Sequence, residues 1–394
     1  MNILHLNQAG SHVGGVEGYI AEVSTAMQAA GHASHLVYFE PDDAGTLLAD
    51  TTYAFLPEWP QLPMQAQQVL DGVMARFRPD IAYIHAVYHP GVVEWIAQRL
   101  PTVAYVHGPY LVCPGSAQYL RRRAKVCPHT AGLVCLFNAQ IEDCCWGRNP
   151  LRHAHLLRRV RAFASAYHHV KYIFMGSRFM SDLLQRGGIA PEKLALLSPV
   201  LNAEPLPPLS PATDSRTVLF AGRLTPEKGL AYLVQALSLV ASDWQLMVAG
   251  DGPERQRCEM LAEQLGIAGR VSFIGWVSPA EMRANLQACA CVAVPSLWPE
   301  PFGRLGPEAF LYSRPVVAFA VGGVLDWLED GVTGYRVESG DVIGLARALE
   351  RLLASPGLRR QMGLHARRKA VEDWSAQLHV EQLLAVFAQA QASL

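Results

Sequence analysis

The run Ser198-Pro-Val-Leu-Asn-Ala-Glu-Pro-Leu-Pro-Pro-Leu-Ser-Pro211 divides the chain in two. Its prolines remove backbone donors, and its apolar residues follow neither a helical nor a strand period, so it reads as a linker. On either side the same pattern appears. Before it, Ile3 to Leu6 leads into a glycine-rich loop at Gly10 to Gly18 and a helix running through Ile20, Val23 and Met27 to Gly31. Strands follow at 35–39, 81–85 and 103–107, with helical stretches at 64–77 and 92–100 between them. After it, strands at 217–221, 245–249, 271–274, 291–294 and 316–318 alternate with helices at 230–240 and 254–265. Short apolar strands separated by helices predict parallel sheets covered by helices, so the expected class is α/β with two Rossmann-like domains in series. We place the domains at residues 1–200 and 201–375, each large enough for an ordinary core.

The composition, 51% hydrophobic and 17% charged, excludes disorder for most of the chain. A net charge of −1 exerts no overall pull toward nucleic acid, and no nucleic-acid partner is expected. The opening Met1-Asn-Ile-Leu-His-Leu-Asn7 lacks a basic start and reads as a buried strand. No run reaches the roughly 18 apolar residues that span a bilayer, so a cytoplasmic protein is expected.

The segment Glu300-Pro-Phe-Gly-Arg-Leu-Gly-Pro-Glu308 carries the clearest chemistry. Pro295, Pro299, Pro301 and Gly303 keep Glu300 on a loop, whereas Pro307 suits the first turn of a helix that carries Glu308. The backbone amides from Phe302 to Gly306 are left unpaired by this reading, and amides at a helix start favour an anion such as a diphosphate. Either carboxylate can accept hydroxyl protons from a sugar. Upstream, Arg223 and Lys228 follow the first strand of the second half, flanked by Gly222 and Gly229, which permit close backbone approach. They are placed to converge on a diphosphate whose charge grows as a sugar departs.

These residues resemble a known family. The stretch from Pro295 through Glu308, then Arg314-Pro-Val-Val-Ala318 and Val321-Gly-Gly-Val-Leu-Asp326, is similar to the donor-site signature of the retaining GT-B glycosyltransferases of family 4. Phe220-Ala-Gly-Arg-Leu-Thr-Pro-Glu-Lys-Gly229 and Val248-Ala-Gly-Asp-Gly-Pro253 match two further blocks in the expected order. The resemblance implies a cleft between the two domains and a C-terminal helix, residues 376–394, crossing back to the first. It also implies a nucleotide-sugar donor, UDP or GDP, and metal-independent front-face transfer to a glycan, lipid-linked or small hydroxylated acceptor. No Asp-x-Asp motif lies near the site, and no cofactor is called for. By resemblance Glu308 meets the ribose and Glu300 the transferred sugar. Arg223 and Lys228 stabilise the leaving diphosphate, and His107, at a strand end before Gly108-Pro109, lies beside the reactive carbon. Gly14, Gly15, Gly222, Asp251, Phe302, Gly303, Arg304 and Leu305 complete the donor side. Arg304 stands where relatives are usually apolar, and Asp326 where a glutamate is common. A GT-B epimerase, a phosphorylase and a catalytically silent carbohydrate-binding subunit remain alternatives.

Five of the eight cysteines, Cys113, Cys127, Cys135, Cys144 and Cys145, fall in one insert at about 108–150. Three readings compete: a structural zinc, with His129 or His107 available as further ligands, disulfides, or small buried thiols. The insert and the helix after it carry Arg121, Arg122, Arg123, Lys125, Arg148, Arg152, Arg158, Arg159 and Arg161. This is either a solvated face or a basic, partly apolar surface that docks on an anionic membrane or a polyprenyl diphosphate at the inner membrane face.

Overall fold

The computed structural model describes residues 1–11, 14–40, 48, 50–56, 59, 62–145, 147–201 and 215–392. The chain forms two compact units. One comprises Met1–Arg122, Cys127–Asn202 and Ser375–Leu394, the other Arg123–Val126 and Ala203–Trp374. Among the described residues no helix is long and apolar enough to cross a membrane.

The first unit is built on a seven-stranded sheet. Its strands are β1 (Asn2–Asn7), β2 (Ala33–Tyr38), β3 (Thr51–Tyr53), β4 (Ile81–Ile84), β5 (Thr102–Tyr105), β8 (Tyr172–Met175) and β9 (Leu194–Leu196). Their order is β3-β2-β1-β4-β5-β8-β9, with parallel neighbours throughout. Two short strands, β6 (Tyr119–Leu120) and β7 (Lys125–Val126), stand outside it. Because side chains alternate along a strand, each strand feeds two cores. Leu4, Leu6, Ala82, Ile84 and Ala104 enter one cluster. Ile3, Ile81, Tyr83, Val103 and Tyr105 enter the other.

That second cluster is completed by helix Ala376–Ala392, which brings in Val380, Leu383, Phe387 and Ala390 beside helix Gly15–Ala29. Each large apolar side chain buried there contributes about 1.5–3 kcal/mol. The expected return of the last helix to the first unit is therefore observed. At the start of the proline-rich run Val200 is a core residue of this unit, as is Leu197 just before it. Residues 202–211 of the run lie outside the described residues.

The second unit carries a six-stranded parallel sheet of β10 (Thr217–Ala221), β11 (Gln245–Ala249), β12 (Val271–Gly275), β13 (Cys291–Val294), β14 (Val316–Phe319) and β15 (Gly334–Val337). The order is β12-β11-β10-β13-β14-β15, which places β10 and β13 side by side at the centre. Two fully buried arginines sit against helix ends. Arg314 donates through Nε to the carbonyl of Leu286 (2.9 Å), and also to that of Gln287, at the end of helix Pro279–Ala288. Arg359 donates to the carbonyls of Leu352 (2.7 Å) and Leu353 (2.9 Å), at the end of helix Val342–Ala354. Carbonyls at a helix C-terminus lack intrahelical donors and carry partial negative charge, so a buried guanidinium finds acceptors there.

Candidate active site

In the second unit the loops leaving β10 and β13 meet. After β10, Pro226–Lys228 forms a 3-10 turn that ends on Gly229 in the left-handed region, at φ +72°. A Cβ on Gly229 would lie 1.9 Å from the Pro295 carbonyl oxygen, so this approach of two loops requires glycine. The Glu227 carbonyl accepts from the Leu297 amide at 2.8 Å, tying the same loops together. The far side of the Glu300 loop rests on Gly322 and Gly323. The Gly323 amide donates to the Glu300 carbonyl at 2.7 Å, and a Cβ on Gly322 would reach that oxygen at 2.5 Å. Trp327 Nε1 donates to the Phe302 carbonyl at 2.6 Å.

This bracing brings Lys228 and Glu300 together. Lys228 Nζ lies 2.6 Å from Glu300 Oε1, which also accepts from Ser296 Oγ at 2.6 Å. Glu300 is only 6% exposed, and Lys228 Nζ stands 5.2 Å from the centre of the Trp298 ring. Burial pushes the Glu300 carboxyl upward, but the Lys228 charge and the hydrogen bonds from Lys228 and Ser296 outweigh it and hold the group below its ordinary value. A pocket of about 80 Å³ opens here, lined by Lys228, Ser296, Glu300, Gly303, Arg304 and Leu305 among others.

The remaining donor-side residues are placed as follows. Glu308 lies on helix Leu305–Leu311, and its Oε1 is 3.1 Å from Arg304 Nε, so Arg304 lines the pocket and is anchored to Glu308 at once. Gly306 departs from expectation, because its amide turns back to the Gly303 carbonyl at 3.3 Å. Arg223 is exposed on the loop after β10, and Gly222 donates its amide to the Ala249 carbonyl at 3.0 Å. Asp251 accepts from the Gly252 amide at 2.7 Å and pairs with Arg255 at 3.3 Å, which makes it a brace of its own loop. Asp326 is exposed on the short helix Val324–Trp327.

In the first unit His107 is half-buried just past β5 and belongs to a stack of rings that the sequence did not announce. His107 Nε2 is 3.4 Å from His85 Nδ1, and His85 Nε2 is 3.1 Å from His5 Nδ1. Beside them Tyr19 Oη lies 2.6 Å from Tyr83 Oη and 3.0 Å from His379 Nε2. His5 and His85 are fully buried. Burial, with the neighbouring His35, lowers His5 to about 3. Burial, with His5 and His107 nearby, puts His85 well below its usual value. Both are therefore held neutral, and each ring can donate one N–H and accept one, so the contacts hold the His107 ring against His85. Gly14 stands at the N-cap of helix Gly15–Ala29, where its carbonyl accepts from the Gly18 amide at 3.1 Å.

All eight cysteines are free thiols, and among the described residues no group of three or more His, Cys, Asp or Glu is arranged to hold a metal ion. Cys127 and Cys135 turn their sulfurs to the carbonyls of His129 (3.9 Å) and Thr130 (3.7 Å), whereas Cys144 and Cys145 face each other at 3.9 Å. Burial raises Cys113 and Cys135 and pushes Cys127 up to about 11, which keeps them protonated. Cys127 and Cys145 are buried, and Cys113, Cys135 and Cys144 are half-buried.

Residues 13–204 match the family described as Glycosyltransferase Family 4, and residues 206–369 the one described as Glycosyl transferases group 1. The MMP alpha-(1->4)-mannosyltransferase of Mycolicibacterium hassiacum is 26% identical over 88% of this chain and 79% of its own. The chain spans about half the length of curated relatives that it matches at 32–33% identity. Sucrose-phosphate synthase from Thermosynechococcus elongatus superposes with a TM-score of 0.78 at 19% identity, covering 100% of both chains. HepE of Anabaena, solved in complex with UDP-glucose, does so with a TM-score of 0.72 at 19% identity, again covering 100% of both. With these folds and two consecutive family matches spanning most of its length, the chain belongs to the GT-B glycosyltransferases of the family 4 type.

Proposed function

We propose that the protein is a retaining glycosyltransferase that moves a sugar from a nucleoside diphosphate, UDP or GDP, to an acceptor hydroxyl. The observation that carries this reading is the half-buried Lys228 paired with the buried Glu300 beside Ser296, held on loops after two central strands, where α/β sheets bind ligands. A lysine held 2.6 Å from a carboxylate is a charge kept in place without a substrate. When the donor enters, its diphosphate competes for the Lys228 ammonium, and Glu300 is left to accept hydroxyl protons of the sugar. As the bond from the anomeric carbon to the diphosphate breaks, Lys228 and Arg223 neutralise the negative charge that grows on the leaving oxygen. The acceptor hydroxyl attacks from the same face, and its proton passes to the departing phosphate. The glutamates bind rather than flank one bond as a glycosidase pair.

Glu308 is assigned to the ribose and Arg304 to holding it. The amides of Gly303 to Leu305 are assigned to phosphate and sugar, and Gly222 and Asp251 to shaping the donor loops. His107 is assigned to a place beside the reactive carbon, and Gly14 and Gly15 to the donor phosphates. The resemblance to a protein solved with UDP-glucose makes UDP the first donor to test. Calorimetric titration of UDP, GDP, ADP and their sugar conjugates, with wild type and Glu308→Ala in parallel, tests the assignment. One nucleotide series binding to wild type and weakened in the variant sustains it, and binding of none refutes it.

A further inference from the structure

We infer that the first unit carries an acceptor subsite for a phosphorylated sugar, in a groove that none of the motifs above describes; this rests on the glycosyltransferase reading. The groove holds about 800 Å³ and runs along the carboxyl edge of β1 to β4 in the first unit's sheet, the edge that His107 shares after β5. Open α/β sheets bind ligands at that edge.

Two kinds of wall face each other. One is aromatic: Phe55 and Tyr88 are 56% and 41% exposed, and Trp59 lies with them. Large rings left open inside a concave site mark a ligand surface, and their faces suit the C–H face of a sugar ring. The other wall is basic. Helix Pro150–Ala166 buries His153, Leu157, Val160 and Phe163 and turns Arg152, His155 and Arg159 to the groove, at helical spacing. Arg152 and Arg159 stand two turns apart, about 10 Å along the axis, with His155 between them, and guanidinium forks of that reach converge on a phosphate ester. The Trp59 ring meets His155 at 5.4 Å, which joins the two walls. Gln8 Nε2 donates to Glu40 Oε1 at 3.0 Å, which holds one carboxylate on the groove for hydroxyl groups.

This divides the arginines of the basic helix by role. Arg152 and Arg159 face the groove, whereas Arg158 and Arg161 are exposed and do not line it. A neutral sugar would use the rings and leave the cations idle. A free phosphate would do the reverse. A sugar phosphate uses both, whether it comes as a soluble ester or as the head of a lipid-linked intermediate.

The test is calorimetric titration of the full chain with glucose 1-phosphate, glucose, inorganic phosphate and a polyprenyl-phosphate glucose in micelles. Glucose 1-phosphate or the lipid-linked probe is expected to bind about 10-fold or more tighter than glucose or phosphate, since charge-assisted hydrogen bonds add to stacking. The lipid-linked probe binding alone identifies a lipid source, and both binding equally identifies the soluble head as sufficient. Arg152→Gln with Arg159→Gln should abolish the preference for the phosphorylated probe, Arg159→Lys should weaken it, and Trp59→Ala should lower affinity for glucose and glucose 1-phosphate alike. Equal affinity for glucose and glucose 1-phosphate, binding of none of the probes, or a preference unchanged in the double variant overturns the proposal. UDP and GDP titrated in parallel keep the two readings apart. Nucleotide binding with an empty groove sinks the subsite alone, whereas sugar-phosphate binding without any nucleotide binding sinks the transferase reading and leaves the groove.

Discussion

The two units hold their candidate chemistry by different means. In the second, mostly backbone fixes the site: carbonyls of Glu227, Glu300 and Phe302 accept from the Leu297 amide, the Gly323 amide and the Trp327 indole, and Gly229 and Gly322 allow approaches that a side chain would block. One ion pair then stands in a frame of peptide groups. In the first, His107 is fixed by side chains, through His85 and His5, with Tyr19, Tyr83 and His379 alongside. Peptide groups do not titrate, whereas imidazoles do. One sheet architecture can thus carry a site indifferent to mild acid and another sensitive to it.

The contrast can be broken at several points. Lys228→Ala should have the largest effect, lowering turnover of a nucleotide-sugar about 10²-fold or more by removing charge from the leaving diphosphate. An unchanged rate in a folded variant would remove Lys228 from the site. Gly229→Ala should cost about 2 kcal/mol or more, because the left-handed backbone and the Pro295 carbonyl both oppose a Cβ. Urea denaturation would measure it, and a loss below that of an ordinary surface substitution would show that the loops yield.

The acid responses should separate next. His5 and His85 have lowered folded values, so the stability they contribute is present above about pH 6.5. It is lost as pH falls from there toward the folded value, about 3 for His5, at about 1.4 kcal/mol per pH unit for each group. Glu300 is lowered from 4.5, so its contribution persists down to that value and is lost as pH falls below it. Hydrogen exchange at pH 7 and 5, corrected for intrinsic rates, should show peptides of β1 and β4 loosening first, with those of β10 and β13 unchanged. Simultaneous loosening would erase the distinction. The smallest effect is expected from Tyr19→Phe, which removes a buried hydroxyl from Tyr83 and His379 and should cost about 1–3 kcal/mol in the same denaturation assay. A neutral result would mean that the ring stack closes without that hydroxyl.

How legible each half was follows from the same difference. A loop approach that only glycine permits leaves a fixed letter at a fixed place, so Gly229 and Gly322 stand out beside Lys228 and Glu300. Central strands such as 245–249 and 291–294 were legible as apolar runs between turns. Strands β3 and β9 were not, because three partly exposed residues leave too short a pattern. The helices Pro279–Ala288 and Val342–Ala354 are weakly marked in the sequence, although Ser278 and Glu281 form a capping box at the start of the first. His5, His85, Tyr19 and Tyr83 converge from three elements with no shared spacing, so nothing local marked them. Arg314 was noticed only as part of a motif, and its work at the end of helix Pro279–Ala288 depends on a fold-level contact.

The return of helix Ala376–Ala392 to the first sheet bears on how the polypeptide is made. Leu383 and Phe387 close the face formed by Ile3, Ile81 and Tyr83, and His379 meets Tyr19 there, yet these partners leave the ribosome some 360 residues apart. Synthesis runs from the N-terminus, and domains ordinarily fold as they emerge. Here the earliest strands wait, with one oily face open, until the whole second sheet has been translated. Emergence of helix Ala376–Ala392, rather than of the residues before the second sheet, is the event that completes the first unit, and chaperone protection over that interval is the need this wiring creates.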